Sequence, residues 1–437
     1  MTKPLLNLRW VSFLEQFRRL FVGFSGGLDS TVLLHALVSQ PTLRNKLIAV
    51  HVNHGLSPNA SLWQAHCEAF CLDAGVAFIA QQVEFDRQAN IEEGARNARY
   101  EVFISLMDEH DCLVLGHHQD DQAETVLLQL FRGAGVDGLA AMMESGNCGS
   151  GRLARPLLAS SRKQLEHYAD CHQLSWIEDE SNQDEYYSRN FIRQQIIPSL
   201  TAKWPGVVGN IARAALHCQQ ARTNLDALAF MDCCALSTPA NLLALAPLKS
   251  LSVERINNVL RVWLKNNQVR LPSAATFQRL INEAVLASED ANPLISWDKV
   301  QIRRYHDTLY LLPANSCNFP VVLKWDEFPK PLYLGDTGFC LSAKKTKEGI
   351  RIPQDAVLHI QFRQGGETFF WHGQTKQLKK LFQDWQVPPW LRQNIPLLYI
   401  NDQLAAIIGY AVSDRYYTQE ASEAWTLLMN QSSQKSD

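Results

Sequence analysis

No two cysteines are spaced as CxxC and no His-x-His partner accompanies them, although the chain carries ten cysteines. This excludes the framework of a small secreted domain and a zinc ribbon, and leaves reduced thiols packed among apolar neighbours. No apolar run approaches the ~18 residues that a membrane span needs. The opening Met-Thr-Lys-Pro gives way to Leu mixed with Asn, Arg, Glu and Gln, which lacks the apolar heart of a secretion signal. A cytoplasmic chain with no membrane contact is expected. Internal repeats and low-complexity tracts are also missing. Nor does one sign of charge dominate: the formal balance is −3, against a uniformly basic nucleic-acid binder.

What is present is ordinary for a folded chain, with 46% hydrophobic and 19% charged residues, so general disorder is excluded. At 437 residues the chain exceeds the ~250 to 300 at which one core usually stops growing, so two or three domains are expected. Charge is unevenly spread. Between Cys340 and Arg392 nine Lys or Arg face four Asp or Glu, a balance of +5 that leaves −8 for the rest.

Short apolar runs at Leu20 to Phe24, Leu47 to Val52, Phe78 to Val83 and Cys112 to Gly116 alternate with helical stretches at Ser30 to Val38, Asn59 to Ala74, Ile91 to Glu109 and Asp120 to Phe131. That alternation predicts a doubly wound α/β domain over residues 1–205, with ligands at the strand C-termini. After Trp204-Pro205-Gly206 helical periodicity takes over, in Val207 to Met231, Val253 to Lys265 and Ala274 to Leu286. A hairpin follows from Leu294 to Leu312, turning near His306-Asp307. Residues 206–317 are expected to form a smaller, mainly helical domain. Residues 318–437 are expected to form an α+β domain of short strands, with one helix from about Thr375 to Trp385 and a frayed tail from Gln431.

The most informative stretch is Arg19 to Leu34, where an apolar strand runs into Ser25-Gly26-Gly27-Leu28-Asp29-Ser30 and then into a helix. Two glycines let backbone N–H groups approach an anion, and the helix N-terminus adds partial positive charge. Ser25 and Ser30 can donate to phosphate oxygens, while Asp29 can cap the helix or hold Mg²⁺. The absence of Gly-Lys-Ser/Thr rules out a Walker A loop. Three further segments fall at strand ends: His51-Val52-Asn53-His54-Gly55-Leu56, Glu92 to Tyr100, and Gly116-His117-His118-Gln119-Asp120-Asp121-Gln122-Ala123-Glu124-Thr125. At helical spacing Glu92, Arg96 and Arg99 share a face, as do Asp121 and Glu124. The guanidiniums could take phosphate charge and the carboxylates could bind Mg²⁺ or an ammonium group. His54 and His117 suit contacts to the nucleotide better than zinc, since no third ligand lies at zinc spacing.

The SGGxDS loop resembles the PP-loop of enzymes that split ATP between its α and β phosphates. Over nearly its whole length the chain resembles the bacterial tRNA(Ile)-lysidine synthetases. The loop, HVNHGL and GHHQDDQAET are shared with related tRNA-modifying enzymes, while IEDESNQDEYYSRNFIR and the distal KQLKKLFQDWQVPPWLR are more specific. The resemblance implies a two-step reaction. The O2 of the wobble cytidine of a CAU-anticodon isoleucine tRNA attacks the α-phosphate of ATP, and the ε-amine of free L-lysine then displaces AMP from C2. It also implies roles: Ser25, Gly26, Gly27, Leu28, Asp29, Ser30, His54 and His117 on ATP; Asp29, Arg96, Asp121 and Glu124 in catalysis; Asp29 and Asp121 on Mg²⁺. Arg189, Arg193, Arg363, Lys376, Lys379, Lys380 and Arg392 are the expected tRNA contacts. A homodimer is compatible with all of this. A tRNA thiolase shares the loop but usually needs paired cysteines. An amide synthetase would have no use for a remote basic module, and a non-enzymatic tRNA binder would not need SGGLDS and HHQDD intact.

Overall fold

The computed structural model describes residues 5–55, 57–85, 91–178, 188–237, 240–288, 291–314, 319 and 322–431. Two compact units divide after Leu228. The expected boundary at 205 falls earlier than this division, because the helix Val207–Asp232 carries Gln219, which donates to the carbonyls of Ala140 and Met142 in the first unit.

The first unit is built on strands β1 (Arg19–Gly23), β2 (Leu47–Asn53), β3 (Ala77–Gln82), β4 (Asp111–Val114), β5 (Ser145–Cys148) and β6 (Gly151–Ala154). They lie in the order β3-β2-β1-β4-β6-β5, all parallel except β5 against β6. The central strands β1, β2 and β4 are mostly apolar and buried because both sheet faces are covered there, with β4 buried at all four positions, whereas the edge strand β3 is largely exposed. Leu20, Val22, Val32, Leu33, Leu37 and Val114 form one core, and Phe21, Val50, Phe103 and Leu113 the other. Strand order reverses between β1 and β4, so the crevice outside their C-termini is where a ligand belongs.

In the second unit, a helix Val253–Asn266 and a four-stranded antiparallel sheet share one core around Trp263, Leu260, Ile302 and Leu309. The sheet turns at His306-Asp307 as expected from the sequence. Further on, antiparallel sheets enclose Trp325, Leu341, Ile360 and Leu398. A smaller cluster collects Phe369, Leu378, Leu381 and Phe382 under the helix Leu378–Asp384. That helix is shorter than the expected one. Gln374–Gln377 pairs instead with Thr368–Trp371 as a β-hairpin, closed by His372 and Gly373, both at positive φ. Lys376 is therefore a strand residue. The expected frayed tail beyond Gln431 lies outside the described residues.

Candidate functional site

The phosphate loop leaves β1 at Gly23 and re-enters helix at Leu28, with extended Gly27 as the N-cap. Gly26 sits at φ +83, and a Cβ there would fall 2.7 Å from Ile177 Cδ1 and 2.8 Å from Cys67 Sγ, so only glycine fits. Its carbonyl accepts from the Ile177 N–H at 2.8 Å and from the Thr31 hydroxyl at 3.3 Å. The loop's interior is closed by its serines: Ser30 Oγ donates to the Gly27 carbonyl at 3.0 Å and stands 3.2 Å from both Ser25 N and Ser25 Oγ. The result is a rigid turn with its amides and an exposed Ser25 at the open end of an 11-residue helix, an anion site by geometry and dipole.

The loop after β4 comes against it. At Gly116 a Cβ would lie 2.9 Å from the Asp29 carbonyl, so the two backbones touch there. His118 stands at the N-cap of the helix Gln119–Phe131, its Nδ1 3.2 Å from the Asp120 backbone nitrogen and 3.6 Å from Asp120 Oδ2, while its own backbone N–H donates to Asp121 Oδ2 at 3.0 Å. His118 is 1% exposed, and its Nε2 faces Asp29 Oδ2 at 3.5 Å and Asp121 Oδ2 at 3.4 Å. Burial opposes a charge on this ring, but Asp120, Asp29 and Asp121 outweigh it and raise its pKa to about 10.

Asp121 and Glu124 are buried one turn apart on that helix. Opposite them, a helical turn Ser188–Phe191 widens into a π segment, Ile192–Ile196, before Ile197–Lys203. Ile192 and Ile197 pack on Ala123 and Leu127, which turns Arg189 and Arg193 onto the two carboxylates. Arg189 donates from Nε to Glu124 Oε2 at 2.7 Å and from Nη2 to Asp121 Oδ1 at 3.0 Å. Arg193 donates from Nε to Glu124 Oε1 at 2.6 Å, and from Nη2 to Glu124 Oε2 at 3.0 Å and Asp121 Oδ1 at 3.2 Å. Burial works against the Asp121 charge, yet His118 and Arg189 hold its carboxyl down at about 2.

Arg189 and Arg193, expected as tRNA contacts, pair in the structure with the two carboxylates of the site. That pairing also bears on Mg²⁺. Both oxygens of Asp121 carry hydrogen bonds from Arg189, Arg193 and the His118 backbone N–H, whereas Asp29 Oδ1 is buried and without a hydrogen-bond partner. Among the described residues no cluster of three or more His, Cys, Asp or Glu forms a metal site.

His117 accepts from Arg155 Nε at 3.1 Å on Nδ1, which leaves Nε2 as the proton-bearing atom. Burial, with Arg155, Arg189 and Arg96 nearby, pushes its pKa down to about 3. His54 is likewise lowered to about 4 by burial and by Arg99. Arg96 is exposed over the Tyr100 ring at 5.5 Å. Arg155 and Ile177 are site residues that sequence reasoning missed. Residues 179–187, beyond Ile177, lie outside the described residues, as does the side chain of Glu92.

The distal basic residues belong to the second unit. Lys379 and Lys380 are exposed, and Lys376 is half-buried with Nζ 5.4 Å from the Trp371 ring centroid. Arg392 is a correction: it is 9% exposed and donates from Nε to the Val387 carbonyl at 2.8 Å, which makes it part of the packing. Arg363 pairs with Glu367 at 3.7 Å and its side chain is 20% exposed.

Three family models match in chain order: a PP-loop domain over residues 3–200, a TilS substrate binding domain over 243–310 and a TilS substrate C-terminal domain over 358–429. A tRNA(Ile)-lysidine synthase of Legionella pneumophila (strain Lens) is 60% identical over 430 residues, covering 98% of this chain and 100% of the relative. The chain belongs to the tRNA(Ile)-lysidine synthase family. A synthase of Coxiella burnetii is 38% identical, covering 96% of this chain and 95% of its own. Among solved structures, a U34-tRNA thiolase from Methanococcus maripaludis aligns with 47% of this chain and 73% of its own, at 21% identity and a TM-score of 0.40. A TilS C-terminal domain aligns with 26% of this chain and 99% of its own, at 18% identity and a TM-score of 0.20. No helix among the described residues is long and apolar enough to cross a membrane.

Proposed function

We propose that the chain joins L-lysine to C2 of the wobble cytidine of a CAU-anticodon isoleucine tRNA, splitting ATP into AMP and pyrophosphate. One observation carries this reading in a member of this family: an anion-binding loop and a buried carboxylate pair face each other across the β1/β4 switch point, tied by His118. The loop Ser25 to Ser30 holds the phosphates, with the departing pyrophosphate at the helix N-terminus. Arg96 and the Nε2–H of neutral His117 draw charge from the α-phosphate as cytidine O2 attacks it, and His54 contacts the nucleotide. Asp29 Oδ1 is the oxygen fitted to hold Mg²⁺, which when bound neutralises phosphate charge. Catalysis rests on positioning and electrostatics, since adenylation requires no protein nucleophile.

Asp121 and Glu124 receive the lysine. His118 and Arg189 hold the Asp121 carboxyl down, which makes it a good counter-charge, and with Glu124 one turn away it anchors an ammonium group. The ammonium replaces guanidinium nitrogens charge for charge, which leaves no buried carboxylate unpaired. The ammonium gives one proton to solvent, the free ε-amine attacks C2, and the C2–O2 bond breaks with O2 leaving on AMP. Residues 1–205 supply the chemistry, and residues 206–317 and 318–437 serve the RNA, with Lys376, Lys379 and Lys380 on its phosphates. The test is release of AMP and pyrophosphate with the tRNA transcript and with its wobble cytidine replaced by uridine. Release should require cytidine; equal release without tRNA would remove the RNA from the first step.

A further inference from the structure

Near the end of the second unit, two aromatic stacks stand side by side. His372 lies on Trp371, with ring centroids 4.0 Å apart and planes at 26°, and Tyr410 lies on Trp385 at 5.6 Å and 18°. The two tryptophans meet edge to face at 5.4 Å and 80°. Both tryptophans are half-buried, so each stack ends on an exposed ring: His372, and Tyr410 at 46% exposure. Tyr410 also meets the core residue Phe382 edge to face at 6.1 Å, while its exposed side and the His372 ring stand outside the core of Phe369, Leu378, Leu381 and Phe382.

Both outer rings are also placed by turns. His372 occupies the tip of the Thr368–Gln377 hairpin at φ +52, a left-handed position that such a turn more readily gives to Asn or Gly. Tyr410 stands in the turn between Gln403–Ile407 and Ala411–Val412. The two hairpins are locked together: Ser413 Oγ donates to the Phe370 carbonyl at 2.9 Å, and the Gly373 N–H donates to Asp414 Oδ2 at 2.7 Å. Lys376 puts a cation 5.4 Å from the Trp371 centroid, within the +5 segment of an acidic chain.

Rigid exposed rings beside a cation, in a basic segment, are the means by which proteins stack unpaired nucleobases without reading their sequence. We infer that His372 and Tyr410 form a stacking platform for the unpaired 3′ tail of the tRNA substrate. This rests on the tRNA reading above. Bases inside a stem already have both faces covered, the anticodon loop belongs to the chemistry of the first unit, and the remaining loops of a folded tRNA stack on each other. The 3′ tail is the run of consecutive bases with free faces.

The experiment uses the full chain and tRNA transcripts carrying 2-aminopurine either in the 3′ tail or in a loop. Wild-type protein should quench the tail probe on binding, and His372→Ala/Tyr410→Ala should abolish that quenching and weaken binding by roughly tenfold. The salt slope should stay unchanged, because stacking releases no counterions. Tyr410→Phe, which keeps the ring, should bind as wild type does. A double variant that binds within twofold of wild type, a Tyr410→Phe variant as weak as the double variant, or quenching confined to the loop probe would each overturn the platform. Failure of wild-type protein to bind tRNA at all would instead overturn the tRNA reading on which it rests.

Discussion

Arg189 turns its Nε onto Glu124 Oε2 at 2.7 Å, and that carboxylate is 1% exposed. Removing one partner of a pair so deep leaves an uncompensated group. In the proposed reaction this pair is the site offered to the lysine ammonium group. Glu124→Gln, nearly isosteric, should raise the KM for lysine at least tenfold while adenylated RNA still forms and accumulates, as read by rapid quench with labelled ATP. It should also lower stability by about 3 kcal/mol, the low end for breaking a buried pair, because Arg189 and Arg193 keep some solvent. An unchanged lysine KM would take Glu124 out of the amine site.

Two glycines should be intolerant for different reasons. Gly26→Ala forces a side chain into left-handed backbone and against Ile177 and Cys67, while Gly116→Ala presses on the Asp29 carbonyl. Both shift the phosphate loop. A misplacement of about 1 Å can cost about 100-fold in rate, and AMP formation should fall by that order with tRNA binding retained. Normal AMP formation in Gly116→Ala would mean that the contact with Asp29 does not position the loop.

The loop, its strand and the carboxylate helix were legible because their signals are local: a strand ending in Ser-Gly-Gly, and acidic residues one helical turn apart. Arg189 and Arg193 were visible as residues but not as partners. Their pairing depends on Ile192 and Ile197 docking on Ala123 and Leu127, a contact between segments far apart in sequence. The contact between His117 and Arg155 escaped for the same reason. The Lys376 error has a local cause: the apolar spacing from Leu378 onward was read back through Thr375 and Gln377, whereas the turn at His372-Gly373 commits those residues to a strand. Arg392 was judged by charge, and charge does not show burial.

His118 and His117 should titrate in opposite senses. In the folded chain His118 is raised from 6.5 to about 10, so its contribution to stability is complete below pH 6.5 and is lost as pH rises through 10. His117 is lowered from 6.5 to about 3, so its contribution is complete above pH 6.5 and is lost as pH falls towards 3. Melting temperatures followed from pH 4 to 10 should show a shallower alkaline decline in His118→Gln and a shallower acid decline in His117→Gln. Parallel curves for wild type and both variants would contradict these charge assignments.

Replacing Lys376, Lys379 and Lys380 with Glu should weaken tRNA binding and flatten its salt dependence, each lost phosphate contact removing roughly 0.7 to 0.9 from the slope. The exposed Lys379 and Lys380 should account for most of the loss, because Lys376 is half-buried against Trp371. ATP binding should not change. Filter binding across a salt series checks this, and an unaltered affinity and slope would place the RNA surface elsewhere.

The identity of the product tests the central claim most directly. After incubation with ATP, Mg²⁺ and L-lysine, the CAU-anticodon isoleucine tRNA can be digested to nucleosides and its wobble residue analysed by mass spectrometry. The account predicts cytidine joined through C2 to the ε-nitrogen of lysine, formed only when ATP and lysine are both present. A wobble cytidine left unmodified, or one carrying sulfur with lysine irrelevant, would contradict it.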